Sequence, residues 1–281
     1  MIVGFNPRLV PMNRRHMVDQ LRRAIDTARE FGLNTLEFTC TEVMFALGLP
    51  TVFGGDFIET LMSTRGLRFH LHMFYGHHSI DEVGICDTHA PARALFLRRM
   101  IQVIEYFEHN RPMDMYVIHS GARIVDVAQH MQALWKSLDV LRSLYPEIRL
   151  AIENGRPGTV LEFPDELLYM LDGYGDVEFV FDTGLAYQAV GYNRELFAGF
   201  LRSLDHFSDR LAEIHWNNTA PGAPPDRPLH VPLERGLDLG LVARHLGRNP
   251  RAVHMIETIC TQQPEALARD QRALWSALGA A

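Results

Sequence analysis

Six residues of this chain share one local grammar: a short apolar run, one side chain able to ligate or transfer a proton, then a loop. They are His72 in FHLHMFY, His119 in VIHSG, Glu153 in AIENG, Asp182 in VFDTG, His215 in EIHWNN and Glu257 in MIET. The clearest case is Leu150–Arg156, where Leu150, Ala151 and Ile152 read as a strand buried on both faces and Glu153 stands where that strand opens. A charge at the edge of a core is costly unless something pairs with it. Taken singly, a strand-end histidine is usually a hydrogen-bonded structural residue. Taken together, three imidazoles and three carboxylates meeting in one volume would repel or stay unsatisfied without cations. Neutral imidazole nitrogens and carboxylate oxygens are the donors that suit Zn²⁺ or Mn²⁺.

Such a meeting requires a scaffold that brings strand ends to one place. Strands are expected at Ile2–Phe5, Thr35–Thr39, Leu67–His72, Met115–His119, Leu150–Ile152, Val177–Asp182, Leu211–His215 and Ala252–Glu257. Between them lie helical patterns, among them Val18 to Phe31 stopped by Gly32, a long helix capped at Asp87 or Thr88 and ending near Asn110, and one from about Val125 to Leu144. Asn193 is a candidate cap for a helix through Leu204, and Pro264 opens a closing helix. About eight strands alternating with about eight helices imply an α/β fold, a single (β/α)8 TIM barrel over residues 1–281, in which all C-terminal strand ends face one mouth. A doubly wound sheet is the alternative, but no Gly-rich phosphate turn follows the first strand.

The chain has 281 residues, 47% hydrophobic, with a net charge of -7, the composition of an ordinary soluble globular protein, and the mild acidity argues weakly against general nucleic-acid affinity. Cys40, Cys86 and Cys260 are widely spaced and form no CxxC, so a reducing cytoplasm is the expected setting and no disulfide framework is implied. No apolar run is long enough to span a bilayer. Lys136 is the single lysine and falls on an amphipathic helical pattern, which argues against Schiff-base chemistry.

Strand parity extends the pattern downward. With His215 inward, Glu213 and Leu211 are inward; with His72 inward, so are His70 and Arg68. Glu37, Arg68 and Glu213 are then expected to form a buried charge network below the ligand layer, since an unpaired inward charge would be prohibitive. His254 falls on the outer face and reads as structural.

The six motifs resemble the xylose isomerase-like barrel superfamily, which includes endonuclease IV and the divalent-metal sugar epimerases and isomerases. The resemblance runs from strand two to strand eight. It implies a first metal on His72, His119 and Glu153, and a second on Glu153, Asp182, His215 and Glu257, with Glu153 bridging. His70 competes with His72 for the first site; Tyr75 favours His72, because it falls where the nuclease branch has an aromatic after its histidine. A third, nuclease-type site would need a histidine where this chain has Leu185, and an Asp-x-His pair where Asp226 and His230 stand out of register. In the epimerase branch, one ion on the strand-five-to-eight set suffices, and Glu153 and Glu257 exchange the substrate proton from opposite faces.

The resulting expectation is an enzyme using one or two divalent ions, Zn or Mn, to isomerise or epimerise a small polyhydroxy carbonyl compound. The rival is a dinuclear metallohydrolase of the endonuclease IV type acting on abasic-site DNA, favoured by the retention of both His72 and His119. A binding protein with a relic metal site is the third reading. Tyr75, Trp216, Asn217 and Arg227, with Arg123 and Asn218, are expected on mouth loops as substrate contacts. The partner is thus a small molecule, with nucleic acid as the rival's partner and no membrane association.

Overall fold

The computed structural model describes every residue except 8, 10–13, 74–83, 220–231, 234, 235, 248, 259–262, 280 and 281. Eight strands form a closed parallel barrel in sequence order: β1 Ile2–Phe5, β2 Thr35–Thr39, β3 Arg68–His72, β4 Met115–Ile118, β5 Leu150–Glu153, β6 Glu178–Asp182, β7 Leu211–Trp216 and β8 Val253–Ile256. The fold is therefore a single (β/α)8 barrel, as the alternation of elements implies. Each strand matches its expected position to within one or two residues.

Residues Pro7–Leu150 pack mainly among themselves, as do Met1–Asn6 with Ala151–Ala281. In the first portion, Phe38 of β2 meets Phe53, Phe57 and Phe107 from three helices, at ring separations of 6.2, 5.7 and 6.0 Å. Its neighbour Glu37 therefore faces the other way, into the barrel, where it is fully buried. In the second portion, Phe181 of β6 packs edge-on against Phe200 of the helix Arg194–Leu204, leaving Asp182 to the interior. That helix begins at Asn193, whose side chain accepts from the backbone N–H groups of Glu195 and Leu196. The long helix Ala90–Asn110 is preceded by His89 at the cap position, while Asp87 accepts from the His89 N–H.

Two further helical stretches fall where the pattern reading placed none. Thr183–Ala189 starts directly from Asp182, and a 3-10 turn occupies Asp205–Arg210. Lys136 is exposed on the helix Val127–Leu144, as expected.

The pairing of β6 with β7 contains a register shift. Phe179 lies opposite Leu211, but Val180 lies opposite Glu213 and Asp182 opposite His215, so β7 carries one extra residue at its start. Leu211 thus shares the register of Phe179, contrary to the expectation of unbroken parity with Glu213. Because that extra residue is left out of the pairing, Glu213 and His215 share the face of Asp182, since neighbours across a parallel pair point the same way.

Arg68 also departs from expectation. It opens β3 and is exposed, with no place in a buried network. At the first position of a strand its long side chain reaches water, which costs far less than burial. The interior carboxylates are served by histidines instead: Glu37 stands beside His72, and Glu213 beside His215.

Candidate metal centre

His72, His119, Glu153, Asp182, His215 and Glu257 are all buried at or just beyond their strand ends. In the portion Pro7–Leu150, the Nε2 atoms of His72 and His119 converge to 2.5 Å, with ring centroids 4.7 Å apart. Behind this pair, Glu37 Oε1 lies 3.3 Å from His72 Nδ1. His70 is also buried but sits one pleat lower, opposite Glu37 and Met115, so it is His72 that meets His119.

In the other portion, Glu153, Asp182, His215 and Glu257 each offer one ligating atom within 4.8 Å of the others. His215 is the hub. Its Nδ1 lies 2.9 Å from Glu153 Oε1 and 3.2 Å from Glu257 Oε2, and its Nε2 lies 3.0 Å from Glu213 Oε1. Glu257 follows β8 and is held there by its N–H donating to the Trp216 carbonyl at 3.0 Å.

Asp182 is the most constrained member. Its Oδ1 accepts the Leu185 N–H at the start of the helix Thr183–Ala189, and its Oδ2 accepts from Asn217 Nδ2. Asn154 clamps the backbone of the same residue, accepting the Asp182 N–H at 2.6 Å and donating to its carbonyl at 3.3 Å. Burial raises the Asp182 pKa well above the usual carboxylate value, and the charges of Glu153 and Glu257 raise it further. Three acids in one dry volume are a poor arrangement by themselves and a good one around a cation. One imidazole with three carboxylates is a donor set that Zn²⁺ and Mn²⁺ accept, so the residues fit such an ion.

The loop after Glu153 is built tightly. The Gly155 N–H donates to the Leu161 carbonyl at 2.7 Å, and a Cβ on Gly155 would overlap Thr159 and Val160. Leu161, fully buried, takes a φ of 68°, a left-handed conformation held against its steric cost.

Some expected contacts sit elsewhere. Trp216 belongs to β7 rather than to a mouth loop. It is fully buried, its ring stacks 5.9 Å from His254, and its Nε1–H donates to His254 Nδ1 at 3.1 Å. His254 is thereby structural, as parity suggested, and burial lowers its pKa to about 4. Asn217 is buried against Asp182, and Asn218 accepts the N–H groups of Thr219 and Leu237. Tyr75, Asp226, Arg227 and His230 lie outside the described residues. Cys40 and Cys86 are buried and free, with thiols pushed up to about 12, which removes thiolate chemistry at these two positions.

The clamps on Asp182 were not anticipated. Asn154 and Asn217 each directly follow a strand end; Asn217 is expected as a substrate contact, and Asn154 carries no expectation of its own. Their signal in the sequence was only their adjacency to a candidate ligand.

A model of the xylose isomerase-like TIM barrel family matches residues 25–278. The chain belongs to that family. Among solved structures it is similar to a D-tagatose 3-epimerase-like protein, with a TM-score of 0.71 at 16% identity over 99% of this chain and 97% of that one. It is also similar to SacUVDE, with a TM-score of 0.66 at 12% identity over 100% of both chains. A third is the probable 3-DHS dehydratase AsbF, involved in petrobactin synthesis, from Bacillus anthracis, with a TM-score of 0.66 at 12% identity over 98% of both chains. At these identities the likeness is one of fold. No curated protein sequence matches the chain. Among the described residues, no helix is long and apolar enough to cross a membrane.

Proposed function

We propose that this protein, acting as one domain over residues 1–281, is a divalent-metal-dependent isomerase or epimerase of a small, sugar-like polyhydroxy carbonyl compound. The observation that carries this reading is the buried set of Glu153, Asp182, His215 and Glu257, whose ligating atoms lie within 4.8 Å of one another. These four residues would hold the ion. When bound, it would supply a Lewis acid for a carbonyl oxygen and the hydroxyl beside it.

The remaining work falls to the chain. Asp182, fixed through both oxygens and its backbone, is a rigid anchor that would not reorganise during turnover. Glu153 and Glu257 each turn one oxygen towards His215 Nδ1. The second oxygens, Glu153 Oε2 and Glu257 Oε1, are the atoms that would take a proton from substrate carbon and return one. Burial of both carboxylates excludes bulk water and preserves the proton being moved.

The dinuclear hydrolase remains the second reading, because His72 and His119 are held face to face although a one-ion epimerase makes no use of them. Two measurements test the choice: metal content of the purified protein, and exchange of solvent deuterium into keto-sugars against cleavage of abasic-site DNA. Exchange with one ion bound supports the epimerase. DNA cleavage with two ions and no exchange overturns it.

A further inference from the structure

Glu213 is a buried carboxylate that the reading above leaves without a task. It lies two residues before His215 on β7, both side chains are fully buried, and its Oε1 is 3.0 Å from His215 Nε2. The opposite ring nitrogen, Nδ1, is the one that faces Glu153 and Glu257. An imidazole that donates its Nε2 proton to a carboxylate has its Nδ1 lone pair free to coordinate, and its ring can no longer rotate.

We propose that Glu213 is a positioning residue for divalent-cation binding: it holds His215 as the Nε2–H tautomer and so presents Nδ1 to the ion shared with Glu153, Asp182 and Glu257. This rests on the metal-site reading above. Three observations carry it. The first is the distance and its alignment with the ring atom remote from the acid cluster. The second is the register shift between β6 and β7, which brings Glu213 and His215 to the inner face together. The third is a repeat of the device in the other portion of the chain, where Glu37 Oε1 stands 3.3 Å from His72 Nδ1 while His72 Nε2 meets His119. Where the sequence pattern suggested an arginine beneath the ligand layer, both carboxylates have a ligand-type histidine above them. Carboxylates so placed commonly alter metal affinity by about 10–100-fold.

The experiment is a titration of the metal-stripped protein with Zn²⁺ and Mn²⁺ alone, competed against a chromophoric chelator. Glu213→Leu removes both the charge and the acceptor. Glu213→Gln is nearly isosteric, keeps an acceptor for the Nε2 proton and guards against a folding defect in the leucine variant. The expected result is a weakening of about 10–100-fold for Glu213→Leu and a smaller one for Glu213→Gln. In the His215→Ala background, adding Glu213→Leu should have no further effect, because Glu213 acts through that ring. Nitrogen-15 spectra of the zinc-loaded protein should show His215 protonated at Nε2. Equal affinity in wild type and Glu213→Leu, or an undiminished Glu213→Leu effect without His215, would overturn the proposal and leave the metal site standing. Failure of the wild-type protein to bind either ion would overturn both.

Discussion

Asn217 donates from Nδ2 to Asp182 Oδ2 at 2.5 Å, and Gly184 is the residue that makes room for it. A Cβ at position 184 would overlap Asn217 Oδ1. The glycine, the amide and the carboxylate therefore form one unit: the helix Thr183–Ala189 starts at Asp182, passes beneath Asn217 at Gly184, and returns an N–H to Asp182 from Leu185.

Breaking this unit should show in stability as well as in metal affinity. Asn217→Ala removes the donor and leaves Asp182 Oδ2 under-satisfied in a buried place, a loss of about 1–3 kcal/mol. Gly184→Ala should reach a similar loss by pushing Asn217 aside. Urea unfolding of the two variants checks this, and the double variant should cost little more than either alone. Strict additivity would mean that the two residues do not work through each other.

Metal binding should release protons. The Asp182 carboxyl is raised by burial and by its acid neighbours, so the metal-free fold retains protons there that an ion displaces. The sign for stability follows. A raised carboxyl penalises the metal-free fold as pH climbs above the unfolded value, and a cation removes that penalty. Metal should thus stabilise more at neutral than at acid pH, and wherever free metal is a hundredfold above Kd the whole stabilisation is about 2.7 kcal/mol. Calorimetry in buffers of different ionisation enthalpy counts the protons. Identical heats in all buffers at mildly acidic pH would contradict it.

His254 sets a second pH dependence with a different origin. Burial, aided by the nearby N-terminal charge, holds its pKa near 4, against an ordinary value of 6.5. Its stability contribution is complete above pH 6.5 and is lost as pH falls towards 4, because the unfolded chain takes up the proton first. The loss should approach about 2–3 kcal/mol. His254→Asn keeps an acceptor for Trp216 Nε1 and cannot titrate. Its denaturation midpoint should fall less than that of wild type between pH 6.5 and 4.5, and parallel curves would show that His254 is protonated in the fold.

One pair of variants separates the two enzymatic readings. His119→Ala should keep one ion and much of the activity if the four residues from Glu153 to Glu257 act alone. A dinuclear hydrolase should lose one ion and several orders of magnitude in rate. Glu153→Gln should be severe under either reading. Near-normal turnover in Glu153→Gln would exclude both.

The strand ends were legible because chemistry and hydrophobicity change at the same residue there, as at Ile152 to Glu153 or Phe181 to Asp182. Trp216 was misplaced for the converse reason. It extends β7 beyond its ligand, and an amphipathic ring next to two asparagines looks the same in a strand as in a loop. Arg68 followed the period of its strand but not the depth of its barrel position, which periodicity does not encode. The Asp182 clamps join Asn154 and Asn217 to a residue 28 and 35 positions away, and single-sequence spacing carries no trace of such a contact.

The extra residue at the start of β7 has a consequence for how this chemistry can be lost. If every residue of β7 stayed and paired in turn from Phe179–Leu211 with no bulge, Asp182 would face Ile214, His215 would turn towards the helices, and Trp216 would swing into the mouth. A change that abolished the bulge while keeping every residue would therefore exchange the two sides of the strand, whereas deleting the extra residue itself would leave Glu213 opposite Val180 and His215 opposite Asp182. A descendant of this chain could carry all six motifs letter for letter and still be inert, because its ancestry is written in spelling and its activity in phase.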